Sequence, residues 1–153
     1  EAKRSALAGF VMGTNDLIKD FRAEPVADRS NLATTLTLAI AAARAFDLLI
    51  FDGVYNDIQN AEGFAAEARQ GRAFGFDGKT LIHPSQVEPC NTIFAPTEEA
   101  VVHARDVIAA FADPANAGKG VLKVNGKMTE LLHLAQAKRM VAMAEAIAAR
   151  ANG

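Results

Sequence analysis

The chain has 153 residues, half of them apolar, and a formal charge of -2 spread over interspersed acids and bases. That is enough for one globular domain with a real core; it offers no basic footprint for DNA or RNA, and no apolar run reaches the roughly 18 residues of a membrane span. Cys90 is the only cysteine, which rules out an internal disulfide or a cysteine-rich zinc site and fits a reducing, cytoplasmic setting, and residues 1–5 are charged rather than signal-like.

In chain order, ALAGFVM at 6–12 predicts a short buried strand, and GTND at 13–16 a loop that sets Asp16 at the strand's carboxyl end. Ser30 is placed to cap a helix over 33–46, where Leu32, Leu36, Ala39, Ile40 and Ala43 share one face. LLIF at 48–51 is too short for a helix and reads as a fully buried parallel strand, followed by a loop with Asp52, Asn56 and Asp57. A second helix over 60–74 turns Phe64, Ala65, Ala68 and Gly71 inward. In AFGFDGKTLIHPSQ at 73–86, Phe74, Phe76, Leu81 and Ile82 are the apolar positions of a third strand. Pro84 bars the helical region to His83, so the extended run stops near there, in a loop carrying Lys79, His83, Ser85 and Gln86.

This alternation of strand and helix demands right-handed crossovers and a parallel sheet. Three parallel strands need helical cover on both faces and partners at their edges. The chain therefore reads as part of a larger barrel or open sheet, completed by further polypeptide or another chain. Beyond it, Thr97 caps a helix whose apolar side is Val101, Val102, Ala104, Val107, Ile108 and Phe111. DPANAGKG at 113–120 breaks the composition and divides the chain into 1–112 and 113–153. VLKV, Asn125-Gly126 and KMTE then predict a hairpin with a type I′ turn, and an Ala-rich amphipathic helix runs over 131–149.

Asp16 is placed as a ligand for a hard cation could be, and equally as a cap for the helix that follows; magnesium takes only one or two protein carboxylates and fills its other sites with water and substrate oxygens. Asp52 and Asp57 could orient a ligand, bind backbone amides or cap the following helix, and turn and cap duty suits them better. Lys79 could reach a phosphate, although GFDGK lacks the glycine spacing of a P-loop. Of the three histidines, His83 is the best candidate, because Pro84 fixes it at a strand terminus; His103 and His133 lie in helical patterns. Glu130 matters only if the C-terminal segment covers a site, and otherwise caps the last helix.

These residues also carry a resemblance. MGTNDL at 12–17 resembles the G-x-x-D-L segment of the citrate lyase β-subunit and malyl-CoA lyase family, which includes the HpcH/HpaI aldolases. GFDGKTLIHPSQV at 75–87 resembles that family's G-F-x-G-K-x-x-I-H-P-x-Q signature. VNGKMTE at 124–130 resembles its terminal D-G-x-M-I-D/E segment, with Asn125 for the usual Asp and Thr129 for an apolar residue. The resemblance implies an α/β fold: the C-terminal part of a TIM-type (β/α)8 barrel, three βα units, plus a C-terminal hairpin and helix extension. It implies Mg2+ held by Asp16 together with a Glu outside this sequence, a CoA thioester seated near Ile82, His83 and Pro84, and Glu130 as the catalytic carboxyl group. It further implies a homo-oligomer, trimer or hexamer, whose C-terminal segment serves as a lid on a neighbouring subunit. The activity implied is carbon-carbon cleavage or condensation of a 3-hydroxyacyl-CoA. A thioesterase, a malate-synthase-like enzyme or a non-catalytic CoA-binding scaffold would share the same motifs.

Overall fold

The computed structural model describes residues 6–151, so the charged stretch 1–5 lies outside the described residues. The chain divides into two compact units, Glu1–Phe94 and Ala95–Gly153. In chain order the first contains β1 (Gly9–Val11), α1 (Thr14–Phe21), α2 (Ala33–Ala45), β2 (Leu49–Asp52), α3 (Ala61–Phe74), β3 (Gly78–Lys79) and α4 (Val87–Phe94). The strands form one parallel sheet in the order β1-β2-β3, as the alternation predicts.

One face of this sheet is a packed core. Leu36, Ile40 and Ala43 of α2 meet Ile50 of β2 together with Leu32, Leu48 and Phe76. Leu36 and Ile50 are wholly removed from water, each contributing about 1.5–3 kcal/mol by burial. The other face is open: Val11 is 56% and Leu49 45% exposed. The strand pair predicted as fully buried is therefore covered on one side only among the described residues.

Local chemistry explains where the observed elements differ from the predicted ones. α1 begins at Thr14, so Asp16 lies in its first turn rather than in a loop. Ser30 does not cap α2, because the helix starts two residues further on, from Leu32, with no side-chain cap; the Ser30 N–H donates instead to the Asp28 carboxylate at 3.0 Å. α3 is capped by Asn60, whose side chain accepts from the Gly63 N–H, and ends at Gly75 with φ +106°, a conformation suited to glycine. β3 is only two residues long, because Phe76 turns into the core and the Thr80 N–H makes its bond to the Asp52 carbonyl before the chain leaves the sheet. α4 went unpredicted because Pro89 interrupts its pattern, yet a proline in the first turn leaves helical hydrogen bonds intact.

Cys90 of α4 is buried against Phe64 and Ala68 of α3. Burial pushes its thiol pKa up, so the folded chain holds the proton more tightly than the unfolded one. Stability is then full below the ordinary thiol range and declines as pH rises from there toward the raised value. Native protein is expected to alkylate with iodoacetamide far more slowly than protein in urea. Equal rates would show that Cys90 is accessible.

The second unit contains α5 (Glu98–Ala112), β4 (Val121–Val124), β5 (Lys127–Glu130) and α6 (Leu131–Ala151). Thr97 caps α5 as predicted, its hydroxyl accepting from the Ala100 N–H at 3.2 Å. The hairpin forms with Val124 opposite Lys127, and Asn125 and Gly126 both have positive φ, the signature of the type I′ turn. Ala104 and Val107 of α5, Val124 of β4 and Ala137 of α6 form this unit's core, whereas Val102, predicted to be inward, is 54% exposed. The sequence reading divides the chain at 112/113, but compactness divides it between Phe94 and Ala95, since α5 packs on the hairpin and last helix.

Candidate functional site

Beneath the carboxyl-terminal edge of the parallel sheet lie three buried charges and a half-buried fourth, Glu67. Asp52, at the end of β2 and fully buried, takes the Arg29 guanidinium on both oxygens at 2.7 and 2.8 Å. The ammonium of Lys79, in register beside it on β3, lies 3.3 Å from Asp52 and also binds Glu67 of α3. Two cations thus meet two carboxylates, as burial of charge requires. Asp52 is an ion-pair centre rather than a turn residue, and the charge of Lys79 is consumed here, which removes it as a phosphate contact.

This cluster also fixes a backbone position. The Gly53 N–H donates to Asp52 at 2.8 Å, and the Gly53 carbonyl accepts from Lys79 at 2.8 Å. Gly53 must be glycine: a Cβ would lie 2.9 Å from the Met12 carbonyl oxygen and closer still to the Thr14 hydroxyl. The loop after β2 is therefore seated directly on the segment leading into α1.

Asp16 stands exposed in the first turn of α1, and among the described residues no ion pair engages it. Its carboxylate folds back over Gly13, where a Cβ would approach Oδ2 to 3.0 Å. An exposed hard oxygen donor fits magnesium as a single protein carboxylate. Among the described residues, no group of three or more His, Cys, Asp or Glu could hold a metal ion. Beside Asp16, Asn15 and Asn56 exchange amide hydrogen bonds of 3.2 and 2.8 Å, linking the α1 turn to the β2–α3 loop. A cavity of about 350 Å³ opens next to this pair, lined by Thr14, Val26, Val54, Tyr55 and Asn60 among others. Burial raises the Tyr55 hydroxyl pKa, with Asp57 and Glu67 adding to the shift, so the phenol stays neutral.

Ile82, His83 and Pro84 follow β3 and so lie at the same edge of the sheet as Asp16. All three are exposed, on a corner pinned by buried Gln86, which accepts from the Ile82 N–H and donates to the Tyr55 carbonyl, each at 3.1 Å. His83 Nδ1 accepts from the Ser85 N–H at 3.2 Å, leaving the ring proton to Nε2.

Glu130 belongs to the second unit, as the last residue of β5. Its N–H donates to His133 Nδ1 at 2.9 Å, so it is His133 that caps the start of α6. Asn125, where the resembling family has Asp, donates to the Asp106 carboxylate at 2.8 Å. An aspartate there would set like charges together.

Residues 2–84 match the family described as HpcH/HpaI aldolase/citrate lyase. The chain belongs to this family. A (3S)-malyl-CoA thioesterase of Cereibacter sphaeroides is 47% identical over 148 residues, 97% of this chain and 52% of the relative. The citrate lyase β subunit of Escherichia coli K12 is 35% identical over 139 residues, 91% and 46% of the two chains. The crystal structure of the protein CitE from Mycobacterium tuberculosis, in complex with magnesium, acetoacetate and coenzyme A, aligns with a TM-score of 0.76 at 31% identity. That alignment covers 94% of this chain and 54% of the other. The chain spans about half the length of the curated relatives it matches. The α/β fold is thus that of citrate-lyase-type structures, and members of the HpcH/HpaI aldolase/citrate lyase family include proteins named for CoA-ester chemistry. Among the described residues, no helix is long and apolar enough to cross a membrane.

Sequence reasoning misses Arg29 and Glu67, and it places Asn15 and Asn56 in strand-end loops without pairing them. Asp52 and Lys79, read from the sequence as loop residues, prove to end β2 and β3 side by side.

Proposed function

We propose that the full-length protein is a magnesium-dependent lyase that cleaves a 3-hydroxyacyl-CoA, such as malyl-CoA or citryl-CoA, into an acyl-CoA and an oxo-acid, or condenses the two. The observation that carries this reading is the exposed Asp16 carboxylate at the carboxyl end of a parallel strand, in a family with a member solved with magnesium, acetoacetate and coenzyme A.

Magnesium, when bound, supplies a template and Lewis acid for the oxo-acid's carboxylate and adjoining oxygen. Asp16 would hold it together with a Glu from the part of the protein outside this sequence. In cleavage the substrate hydroxyl gives its proton to solvent and its oxygen becomes the oxo-acid carbonyl, while the carbon-carbon bonding pair passes to the thioester enolate, which takes up one proton at carbon. Glu130 is the carboxyl group we assign to the proton at the enolate carbon. The corner at Ile82, His83 and Pro84 seats the thioester, its shape held by Gln86.

The open sheet face, with Val11 and Leu49 exposed, supports a TIM-type (β/α)8 barrel in which further strands complete the ring. We assign the second unit the role of a lid and contact to a neighbouring subunit in a cytoplasmic homo-oligomer, a trimer or hexamer.

Thioester hydrolysis is the second reading, favoured by the 47% identity to a protein named as a malyl-CoA thioesterase. Products separate the two. With (3S)-malyl-CoA and magnesium, the lyase is expected to release glyoxylate and acetyl-CoA, detected as the phenylhydrazone and by chromatography. Malate with a free CoA thiol as the only products would replace the lyase by the hydrolase, and no turnover of malyl-CoA or citryl-CoA would defeat both.

A further inference from the structure

We infer that Asn56 is a positioning residue for Asp16; the inference rests on the reading of Asp16 as a magnesium ligand. α1 is short, eight residues, and its N-cap Gly13 offers no side chain to the first-turn amides. A helix of this length has little stability of its own, so the orientation of Asp16 must be set from outside. Leu17 and Ile18 seat the helix on the core, and two further contacts bear on its first turn. Gly53 packs against Met12 and Thr14, and the Asn56 side chain exchanges both its hydrogen bonds with Asn15, the residue next to Asp16.

Both contacts come from the β2–α3 loop, and that loop is anchored. The charges of Asp52 and Lys79 hold the two polar groups of Gly53. Gln86 holds the Tyr55 carbonyl, one residue before Asn56. An amide can both give and accept a bond with another amide, so Asn56 holds Asn15 through two reciprocal hydrogen bonds. Asn56 itself is exposed, which separates its effect from that of the buried cluster beneath it.

The experiment compares wild type, Asn56→Leu, Asn56→Ala and Asp16→Asn in the full-length protein. Magnesium chloride alone is titrated by calorimetry, melting temperatures are recorded, and hydrogen exchange is followed at the amides of residues 15–17 without metal. Both Asn56 variants are expected to bind magnesium about tenfold more weakly, the scale of losing a group that orients a metal ligand. Their melting temperatures should match wild type, and the 15–17 amides should exchange faster. Wild-type affinity in the Asn56 variants, with binding lost in Asp16→Asn, would overturn the inference and leave the Asp16 reading standing. Unchanged binding in Asp16→Asn would remove that reading and the inference with it. A fall in melting temperature that tracks the affinity loss in both Asn56 variants would make Asn56 a structural residue and also overturn the inference.

Discussion

Replacing Asp52 by alanine is expected to destabilise the protein by about 3–5 kcal/mol, because it leaves the buried Arg29 and Lys79 cations with too little negative charge nearby. Asp52 is fully buried and accepts from Arg29, Lys79 and the Gly53 N–H, so its removal breaks the side-chain pairing of β2 with Arg29 and Lys79 while the backbone ladder to β3 stays. Water cannot easily replace it, since the Arg29 and Lys79 side chains are only 6% and 0% exposed. Urea unfolding measures the effect. A loss below about 1 kcal/mol, the scale of a surface ion pair, would show that the cluster rearranges and that its geometry is not what holds these segments together. The double variant Asp52→Ala with Lys79→Met removes one charge of each sign, and is expected to lose clearly less than the sum of the single changes. Additivity would deny that the four charges act as a unit.

Asp16→Asn is expected to lower magnesium-dependent kcat/KM of the full-length enzyme by at least about a hundredfold, since loss of groups that merely support metal ligands already costs ~10–100-fold. The substitution keeps size and hydrogen bonding but removes the charge a hard cation needs. Asp16 is exposed and in no ion pair among the described residues, so the melting temperature should be unchanged. Chelation of wild type with EDTA should reproduce the loss, and added magnesium should restore it. Full turnover by Asp16→Asn would mean that the metal is held elsewhere.

The predicted elements owe their success to periodicity and turn chemistry, both local. The three-four spacing of Leu32, Leu36, Ile40 and Ala43 found the buried face of α2, and Asn125-Gly126 found the hairpin, because each is decided within a few residues. Where local signals compete, a single residue misleads: Ser30 looks like a helix cap although α2 starts two residues beyond it, from Leu32, and Pro89 hides α4. The motifs were legible for the same local reason, so Asp16 and the corner at Ile82, His83 and Pro84 could be found at strand ends before any coordinates.

What only the tertiary structure decided is the use made of the charged and amide side chains. Arg29, Asp52, Glu67 and Lys79 are spread over fifty residues of sequence, and no spacing rule joins them. They meet because β2 and β3 run in parallel register and α3 folds back across them, in a place where an unpaired charge would be too costly to bury. Asn15 and Asn56 lie forty-one positions apart and become a clasp only when two strand-end loops stand side by side. Local hydrophobic pattern determined the elements of this protein, whereas long-range electrostatic and hydrogen-bond pairing, which depends on register, decided which polar residues anchor the candidate site and which remain exposed to act.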